Sequence, residues 1–266
     1  MQRYDGRVAV VTGASSGIGR RLAVDLAARG ATVLGLARRE PLLAELRPRL
    51  RQASPRSDVV TCDVAHVDTL LATLTDIEKT YEQIDVLVNN AGVDIPTPVG
   101  DNPARLEVFA DIMATNYFAV VAGTLAVLPG MLQRRSGVIV NVSSDSARAP
   151  EPRDGGYAAS KAAVSAFTES VAHEVAGRGV HVHVLYPAWV PTAMGTAGEG
   201  RLPPKLVRRT EALVSNLLLE QMGRPRVDIN AAWLPKLAVI GRTMFPGAYQ
   251  RSMRRFAGNT DSSIIT

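Results

Sequence analysis

The stretch from Asp154 to Val164, DGGYAASKAAV, places Tyr157 four residues before Lys161. A free tyrosine has a pKa of about 10, which is poorly suited to proton transfer near neutral pH. Side chains four residues apart lie on one face of a helix, so the lysine charge would favour phenolate and lower the pKa of the tyrosine. The spacing is typical of an acid/base pair, although an ordinary amphipathic helix would also produce it.

Such a pair must be positioned by the elements around it. Short β-branched runs alternate with longer helical patterns, which predicts βαβ units in a doubly wound (Rossmann) parallel sheet with helices on both faces, an α/β fold forming one domain. The predicted strands are Val8–Val11, Thr32–Leu36, Val59–Thr61, Val86–Val88, Val138–Val142 and Val180–Leu185. The predicted helices are Ile18–Arg29, Leu42–Arg51, Val67–Tyr81, Arg105–Arg135 (continuous or broken in the middle) and Ala158–Ala176.

In such a sheet the ligand binds beyond the carboxyl ends of the strands, where the strand order reverses. The first predicted strand runs directly into TGASSGIG, Thr12 to Gly19, and then into a helix. Its glycines permit a tight turn and close backbone approach to a pyrophosphate, and the helix start supplies N–H groups for the phosphates. Alone, such a turn can also be a structural loop. The segment NNAG, Asn89 to Gly92, follows the fourth strand and lies at the same edge.

With GVIVNVSS (137–144) and YAASK (157–161), these motifs make the chain resemble the short-chain dehydrogenase/reductase family over about residues 5–195. The resemblance implies that Tyr157 is the catalytic acid/base, assisted by Lys161, which also binds the nicotinamide ribose. It further implies that Ser144 polarises the substrate oxygen and that Asn116 holds a water in the proton relay. Each residue alone has a structural explanation, but together they indicate catalysis.

The resemblance also implies contacts to a nicotinamide dinucleotide, and no metal. The expected contacts are Gly13, Ser15, Ser16, Gly17, Ile18, Gly19, Arg38, Arg39, Asp63, Val64, Asn90, Ala91, Gly92, Tyr157, Lys161, Pro187, Val190 and Thr192. The sequence departs from the family at Ala188, where the family has glycine, so the nicotinamide contact at Val190 is the least secure. Asp63 is expected to bind the adenine amino group, with a helix cap as the alternative.

The end of the second strand bears on the choice of cofactor. An acidic residue there would bind the ribose 2′-OH of NAD and repel a 2′-phosphate. This chain has Ala37 instead, followed by Arg38 and Arg39. Because a guanidinium can make two charge-assisted bonds to phosphate, NADP (NADPH) is favoured over NAD. Surface charge at a helix start is the alternative explanation of the two arginines.

The substrate is expected to be a small molecule, and its identity cannot be read from the sequence. The expected substrate-lining residues are Val93, Asp94, Asp145, Trp189 and the segment Met194–Met222. That segment opens with MGTAGEG and repeats apolar residues at helical spacing, which fits a substrate lid and plain core packing equally well. The repeating residues are Leu206, Val207, Leu213, Val214, Leu217 and Leu218.

The last residues, 223–266, contain one predicted strand, Val227–Ala231, and an apolar tail with several arginines. Tails of this type occur in family members that act on lipid-like substrates. Packing of the tail on its own domain or on a partner subunit is favoured over peripheral membrane contact. A homodimer or homotetramer is expected.

Composition excludes several other classes of protein. The 266 residues are 46% hydrophobic and 21% charged, which is typical of a globular chain. The net charge is +5, but the basic residues are scattered, so no nucleic-acid partner is expected. Residues 112–133 carry no charge, yet they contain Asn116 and Pro129 and are predicted to cover the sheet rather than to span a membrane. A single cysteine, Cys62, and no targeting segment favour the cytoplasm.

These features together predict an NADP(H)-dependent oxidoreductase that transfers hydride between nicotinamide and a ketone or secondary alcohol, apolar or lipid-like in character. One alternative is an NAD(H)-dependent alcohol or hydroxysteroid dehydrogenase of the same family. The other is a non-catalytic nucleotide sensor, which is disfavoured because sensors commonly lose the tyrosine or the lysine, and this chain has both Tyr157 and Lys161.

Overall fold

The computed structural model describes residues 4–100, 103–192 and 208–261. Its centre is a parallel sheet of seven strands in the order β3-β2-β1-β4-β5-β6-β7. The strands are β1 Val8–Thr12, β2 Thr32–Ala37, β3 Asp58–Thr61, β4 Val86–Asn89, β5 Gly137–Val142, β6 Val180–Tyr186 and β7 Asp228–Asn230. The strand order reverses between β1 and β4, which pair directly. The predicted doubly wound single domain is confirmed.

Helices cover both faces of the sheet, because neighbouring residues of a strand point to opposite sides. Ala9 and Val11 belong to one apolar cluster, whereas Val8 and Val10 belong to the other. The helices are α1 Gly17–Ala28, α2 Glu40–Ala53, α3 Val67–Tyr81, α4 Leu106–Met113, α5 Ala119–Arg134, α6 Gly155–Glu174, α7 Glu211–Gln221, α8 Leu234–Met244 and α9 Pro246–Asp261. Helices α1, α2 and α7 cover the first face, and α3, α5 and α6 the second.

The long apolar stretch predicted to be continuous or broken is broken. A π-helical turn, Ala114–Phe118, separates α4 from α5 and contains Asn116. Within the described residues, Leu106–Arg134 is the stretch whose length and hydropathy would allow a membrane span. Half of its most apolar part is buried inside the protein. Val127 and Met131 of α5 lie in the cluster beneath β5, as expected of a helix that covers a sheet.

The C-terminal part differs from the sequence prediction in two ways. Residues 193–207, which include MGTAGEG, Leu206 and Val207 of the predicted lid, lie outside the described residues. The rest of that segment forms α7, which packs on α1 through Val214, Leu218 and Leu219, whereas Leu213 is 46% exposed. This part of the segment is therefore core, and Leu213 does not belong to its buried face. The tail beyond β7 forms α8 and α9, which were not predicted.

Candidate functional site

The glycine-rich turn and the segment after β4 meet at the carboxyl edge of the sheet, at the point where the strand order reverses. The Thr12 hydroxyl accepts hydrogen bonds from the backbone N–H groups of Asn90 and Ala91, each at 3.0 Å. The Asn90 side chain in turn donates to the Thr12 carbonyl at 2.9 Å. The two predicted cofactor-binding segments are thus tied into one surface.

The backbone of this surface requires glycine. Gly13 has a φ of +68°, and a Cβ there would lie 2.8 Å from Nδ2 of Asn90. At Gly92 a Cβ would lie 3.3 Å from Nζ of Lys161 and 3.2 Å from Oδ1 of Asn116. Helix α1 begins at Gly17 with no side-chain cap on Ser16, so its first N–H groups point into the turn. This cradle fits the pyrophosphate of a dinucleotide.

The two arginines after β2 are held beside that cradle. Arg39 donates to the hydroxyls of Ser15 at 3.0 Å and Ser16 at 2.6 Å. Arg38 lies 3.7 Å from the carboxylate of Asp63. Asp63 also accepts from the backbone N–H of Ala65 at 3.1 Å, a local turn before α3, whose cap residue is His66. The arrangement places two guanidinium groups next to the phosphate-binding turn.

The remaining predicted contacts lie along the same edge. Val64 is buried after β3, and Pro187 and Val190 are buried after β6. Ile18 packs on the core at the start of α1. The side chain of Thr192 lies 3.0 Å from where a Cβ of Gly17 would be, which brings the loop after β6 against the glycine-rich turn. A Cβ at Gly19 would overlap Asn90, so α1 packs tightly there.

The loop after β6 keeps the backbone shape of a glycine although it carries alanine. Ala188 has a φ of +60°, in the left-handed region that L-residues other than Asn and Asp rarely adopt. The methyl group has therefore not moved the loop out of that conformation, and the backbone carries the strain instead. Two hydrogen bonds stabilise the loop: Thr192 N–H donates to the Val190 carbonyl at 2.7 Å, and Arg209 N–H to the Trp189 carbonyl at 2.8 Å.

Ser144, Tyr157 and Lys161 come together between β5 and α6. Ser144 follows β5, its hydroxyl accepts from the N–H of Ser146 at 3.2 Å, and it interacts with the Tyr157 side chain. Lys161 is 3% exposed, and its Nζ donates to the Val142 carbonyl at 2.9 Å. The same nitrogen lies 5.8 Å from the centre of the Tyr157 ring. The predicted triplet is therefore assembled.

The protonation of this triplet differs from the sequence expectation. Burial raises the pKa of Tyr157 above its ordinary value, and the hydrogen bond from Ser144 acts against that rise. Burial lowers the pKa of Lys161 to about 8, opposed by the charge of Asp94. The pKa of Tyr157 is therefore not lowered overall in the chain by itself, contrary to what the sequence had suggested, because desolvation is the largest contribution.

Asn116 is fully buried in the π-helical turn and binds the loop after β4. Its Oδ1 accepts from Val93 N–H at 2.8 Å, and its Nδ2 donates to the Val93 carbonyl and to Ser160 Oγ, both at 2.9 Å. Irregular π turns inside helices are frequent at functional sites. These bonds fix the start of the loop that carries Val93 and Asp94, two expected substrate-lining residues.

Carboxylates around Tyr157 were not all foreseen. Asp94 and Asp145 were expected to line the substrate, but Asp154, three residues before Tyr157, was not assigned a role. Burial raises the pKa of Asp154 to about 7, helped by the charge of Asp94. Burial raises the pKa of Asp145 to about 6, opposed by Arg148. All three carboxylates raise the pKa of Tyr157.

Sequence reasoning also missed two groups that support the site. Asn89 donates to Asn141 at 2.8 Å and Asn141 to Thr168 at 3.0 Å, a buried chain that links β4, β5 and α6. Both asparagines lie in the recognised motifs, which was the available signal. Arg148 stacks on Tyr186 with Cζ 3.3 Å from the ring centre and bonds to Asp228 and Asn230 of β7, which holds the loop that carries Ser144.

Within the residues described, no group of three or more His, Cys, Asp or Glu side chains is arranged to hold a metal ion.

Comparison with known proteins places this site in a family. The short chain dehydrogenase family model matches residues 7–200. A fatty acyl-CoA reductase of Acinetobacter baylyi is 35% identical over 193 residues, covering 73% of this chain and 65% of the relative. The 3-oxoacyl-[acyl-carrier-protein] reductase FabG of Vibrio harveyi is 36% identical over 225 residues, covering 84% of this chain and 86% of the relative.

The chain spans less than two thirds of the length of the Acinetobacter reductase and of a Pseudocercospora fijiensis short chain dehydrogenase. Among solved structures, a short chain dehydrogenase/reductase from Burkholderia phymatum in complex with NAD matches with a TM-score of 0.81 and 27% identity, covering 92% of this chain and 95% of that one. Family match, relatives and fold agree with the site described above. The chain belongs to the short chain dehydrogenase family.

Proposed function

We propose that this oxidoreductase transfers hydride between NADP(H) and a ketone or secondary alcohol of apolar, lipid-like character, with Tyr157 as the acid/base. Family membership implies a nicotinamide cofactor. The observation that carries the proposal is the assembly of Tyr157 with Ser144 and with the buried ammonium group of Lys161, which lies 5.8 Å from the centre of the tyrosine ring and beside Gly92.

The roles of the residues follow from their surroundings. The nicotinamide would supply the hydride in reduction and accept it in oxidation. Tyr157, kept protonated by burial, donates its phenolic proton to the substrate oxygen during reduction. Ser144, held by Ser146 N–H, has a hydroxyl hydrogen that can bind the same oxygen. Lys161 is buried beside Gly92, where it can hold the ribose and add positive charge as the tyrosine ionises.

Two observations support an apolar substrate. The Acinetobacter and Vibrio relatives are both reductases of acyl compounds. In this chain, the loop that Asn116 fixes continues into Ile95 and Val99, both exposed beside the site. Apolar side chains at the mouth of a site favour apolar ligands and help to exclude water.

The preference for NADP(H) rests on Ala37, Arg38 and Arg39. Ala37 ends β2 without a carboxylate, and the guanidinium of Arg39 is bonded to both serines of the phosphate-binding turn. NAD is the second candidate, because the solved Burkholderia relative was crystallised with NAD.

The test is turnover of the Tyr157→Phe variant. Wild type is first screened for NADPH consumption against ketosteroids, β-ketoacyl thioesters, quinones and small aldehydes. On the best substrate, Tyr157→Phe should lose at least about 100-fold in kcat while keeping NADPH affinity and melting temperature. Tyr81→Phe, a change on α3 remote from the site, should keep wild-type turnover. Full turnover in Tyr157→Phe would refute the assigned role, and nucleotide binding with no turnover on any carbonyl would favour the sensor.

A further inference from the structure

The first helix after β7 carries an apolar stripe that the described residues leave uncovered. Trp233, Leu237, Ile240 and Met244 follow one another at spacings of four, three and four residues, so they lie along one face of α8. Their exposed fractions are 62%, 48%, 55% and 66%, and Phe245 at the end of the helix is 67% exposed. Isolated exposed apolar residues are ordinary, but a continuous stripe of large ones marks a contact surface.

The stripe points away from the body of the protein. Arg242 lies nine residues after Trp233, on the opposite side of α8, and its guanidinium donates to the Arg148 carbonyl at 2.7 Å. Helix α9 packs against α8, with Tyr249 and Met253 half-buried. One side of α8 is therefore anchored to the domain, and the other presents the stripe.

The charge of the chain is concentrated in the same segment. Residues 229–260 contain five basic residues and no acidic one: Lys236, Arg242, Arg251, Arg254 and Arg255. The rest of the chain has 25 basic and 25 acidic residues, so the whole net charge of +5 belongs to this segment. The basic residues are scattered along the chain, as the sequence suggested, but this stretch holds more of them without an intervening acidic residue than any other.

These properties select among possible partners. A second copy of the chain meeting the stripe by two-fold symmetry would bring two segments of +5 together, and like charges oppose such contact. An acidic polymer such as a nucleic acid would match the charge and leave the apolar stripe in water. An anionic lipid bilayer takes both, because apolar side chains enter the acyl boundary while arginines bind headgroups.

We propose that residues 233–254 form a docking surface for the face of an anionic lipid bilayer. Tryptophan and phenylalanine at the ends of the stripe suit the headgroup level, where aromatic side chains concentrate. Leu237, Ile240 and Met244 supply the apolar insertion. Arg251 and Arg254, exposed on α9, supply the charge.

The docking surface adjoins the active-site edge of the sheet. Arg148, to which α8 is bonded through Arg242, belongs to the loop that follows Ser144 and Asp145. Docking would hold the mouth of the site close to the bilayer. An apolar substrate dissolved in the membrane would then reach Tyr157 without crossing bulk water, a consequence that rests on the proposed function, whereas the docking itself does not.

The experiment is co-sedimentation of the full chain with vesicles, without any substrate. Wild type should bind vesicles of equimolar phosphatidylglycerol and phosphatidylcholine at least about tenfold more tightly than phosphatidylcholine alone. Ile240→Glu should weaken binding to both kinds of vesicle by about tenfold or more, because it puts a carboxylate into the stripe. The double variant Arg251→Gln/Arg254→Gln should bind the anionic vesicles more weakly than wild type does, and its binding to phosphatidylcholine vesicles should be unchanged.

Matched controls separate docking from general stickiness or misfolding. Leu106→Glu puts a carboxylate at an exposed leucine at the start of α4, and Arg178→Gln removes an exposed arginine before β6; both variants should bind vesicles as wild type does. Only variants whose melting temperature equals that of wild type are compared, so that misfolding is excluded as a cause. Wild type left in the supernatant, or equal losses in Ile240→Glu and Leu106→Glu, would overturn the proposal. So would Ile240→Glu dissociating an oligomer while vesicle binding is unchanged, since the stripe would then serve a second copy.

Discussion

At the scale of single residues, burial controls the chemistry of Tyr157. Its hydroxyl lies among Asp94, Asp145 and Asp154, whose charges add to desolvation in raising its pKa. A protonated tyrosine suits carbonyl reduction, in which it gives up a proton, and is unfavourable for oxidation, in which it must accept one. With Tyr157 as the proposed acid/base, we expect the acidic residues around the site to bias the chain toward reduction near neutral pH.

Asp154→Asn should shift that bias. The pKa of Asp154 is raised to about 7, so its charge appears around neutral pH and then opposes ionisation of Tyr157. Removing the carboxylate should make Tyr157 easier to ionise. The rise of the oxidation rate with pH should then move to lower pH, and kcat/KM for an alcohol should increase severalfold at pH 8, although Tyr157 itself is unchanged. A raised carboxyl pKa also means that wild type loses stability as pH rises from about 4 to about 7, and the variant should lose less.

The pH–rate profile of alcohol oxidation and urea unfolding across the same range measure both effects. Asp68→Asn, an exposed change on α3, is the matched control and should leave both curves as in wild type. An unchanged oxidation profile in Asp154→Asn would show that this carboxylate does not act on Tyr157.

The proposed preference for NADP(H) can be tested at two single residues, Arg38 and Ala37. Arg39 is already bonded to Ser15 and Ser16, whereas Arg38 has only a 3.7 Å contact to Asp63 among the ion pairs of this turn. Arg38→Leu should therefore weaken NADPH binding by about 1.5–3 kcal/mol, the range of a charged hydrogen bond, and leave NADH binding nearly unchanged. Ala37→Asp should move preference toward NADH, because it adds an acceptor for the 2′-OH.

Fluorescence titration with each nucleotide gives the affinities. Arg56→Leu, at a surface arginine that stacks on Tyr81, should change neither. Tighter binding of NADH than of NADPH by wild type would contradict the preference for NADP(H) altogether.

Residue identity at the site could be predicted from sequence, but residue environment could not. Tyr157, Lys161, Ser144 and Asn116 stand in recognisable motifs, and the structure brings them to one edge. The pKa of Tyr157 depends on Asp94 and Asp145, which follow different strands, so its direction becomes visible only when the chain is folded. The bonding of Asn116 to Val93 and Ser160 likewise depends on the π-helical turn, which the sequence suggested only as a break.

At the scale of elements, the pattern of apolar residues predicts the strands and helices that pack in the core and misses helices that lie outside it. Strands β1, β2, β4, β5 and β6 are buried along nearly their whole length, and their largely aliphatic sequences made them readable to within one residue. Helices α8 and α9 were missed because large apolar residues such as Leu237, Ile240 and Met244 do not face the core and the sequence includes Pro235, Gly241 and Pro246. For α7 the sequence predicted a helix correctly but placed its buried face one residue too early along the chain. Leu213 was therefore included although it is exposed, and Leu219 was left out although it is buried.

Ala188 tests whether the loop after β6 is strained. An L-residue in the left-handed region is disfavoured by about 1–2 kcal/mol, and glycine removes that term while gaining about 0.4–1 kcal/mol of freedom in the unfolded chain. Ala188→Gly should therefore leave the free energy of unfolding unchanged or raise it by up to about 1 kcal/mol. Ala163→Gly, within α6, should lower it by about 1 kcal/mol. Urea denaturation of the two variants decides: an equal loss in both would mean that Ala188 is unstrained.

At the scale of the whole molecule, the last strands are joined through a buried imidazole. His183 of β6 is fully buried; its Nδ1 donates to the Arg226 carbonyl at 2.7 Å and its Nε2 accepts from Gly223 N–H at 3.1 Å. These bonds require the neutral ring with its proton on Nδ1. They tie the turn after α7 to β6, and through that turn they hold the start of β7 and the C-terminal helices.

The stability of the molecule should therefore fall in acid because of His183. Burial lowers its pKa from 6.5 to about 4, opposed by its hydrogen bond to Arg226. Between those values the unfolded chain binds a proton that the folded chain does not, so the free energy of unfolding decreases as pH falls, by up to about 3 kcal/mol. Asp145 and Asp154 act in the opposite direction over an overlapping range, since their raised pKa values favour the folded state in acid.

The contribution of His183 is therefore measured as the difference in the free energy of unfolding between wild type and His183→Gln, from urea unfolding at pH 4 to 7. His183→Gln should be less stable than wild type at pH 7, and the gap should narrow steadily toward pH 4. His173→Gln, at an exposed position on α6, should follow the wild-type curve throughout. A gap between wild type and His183→Gln that stays constant with pH would mean that folding does not shift the pKa of this ring.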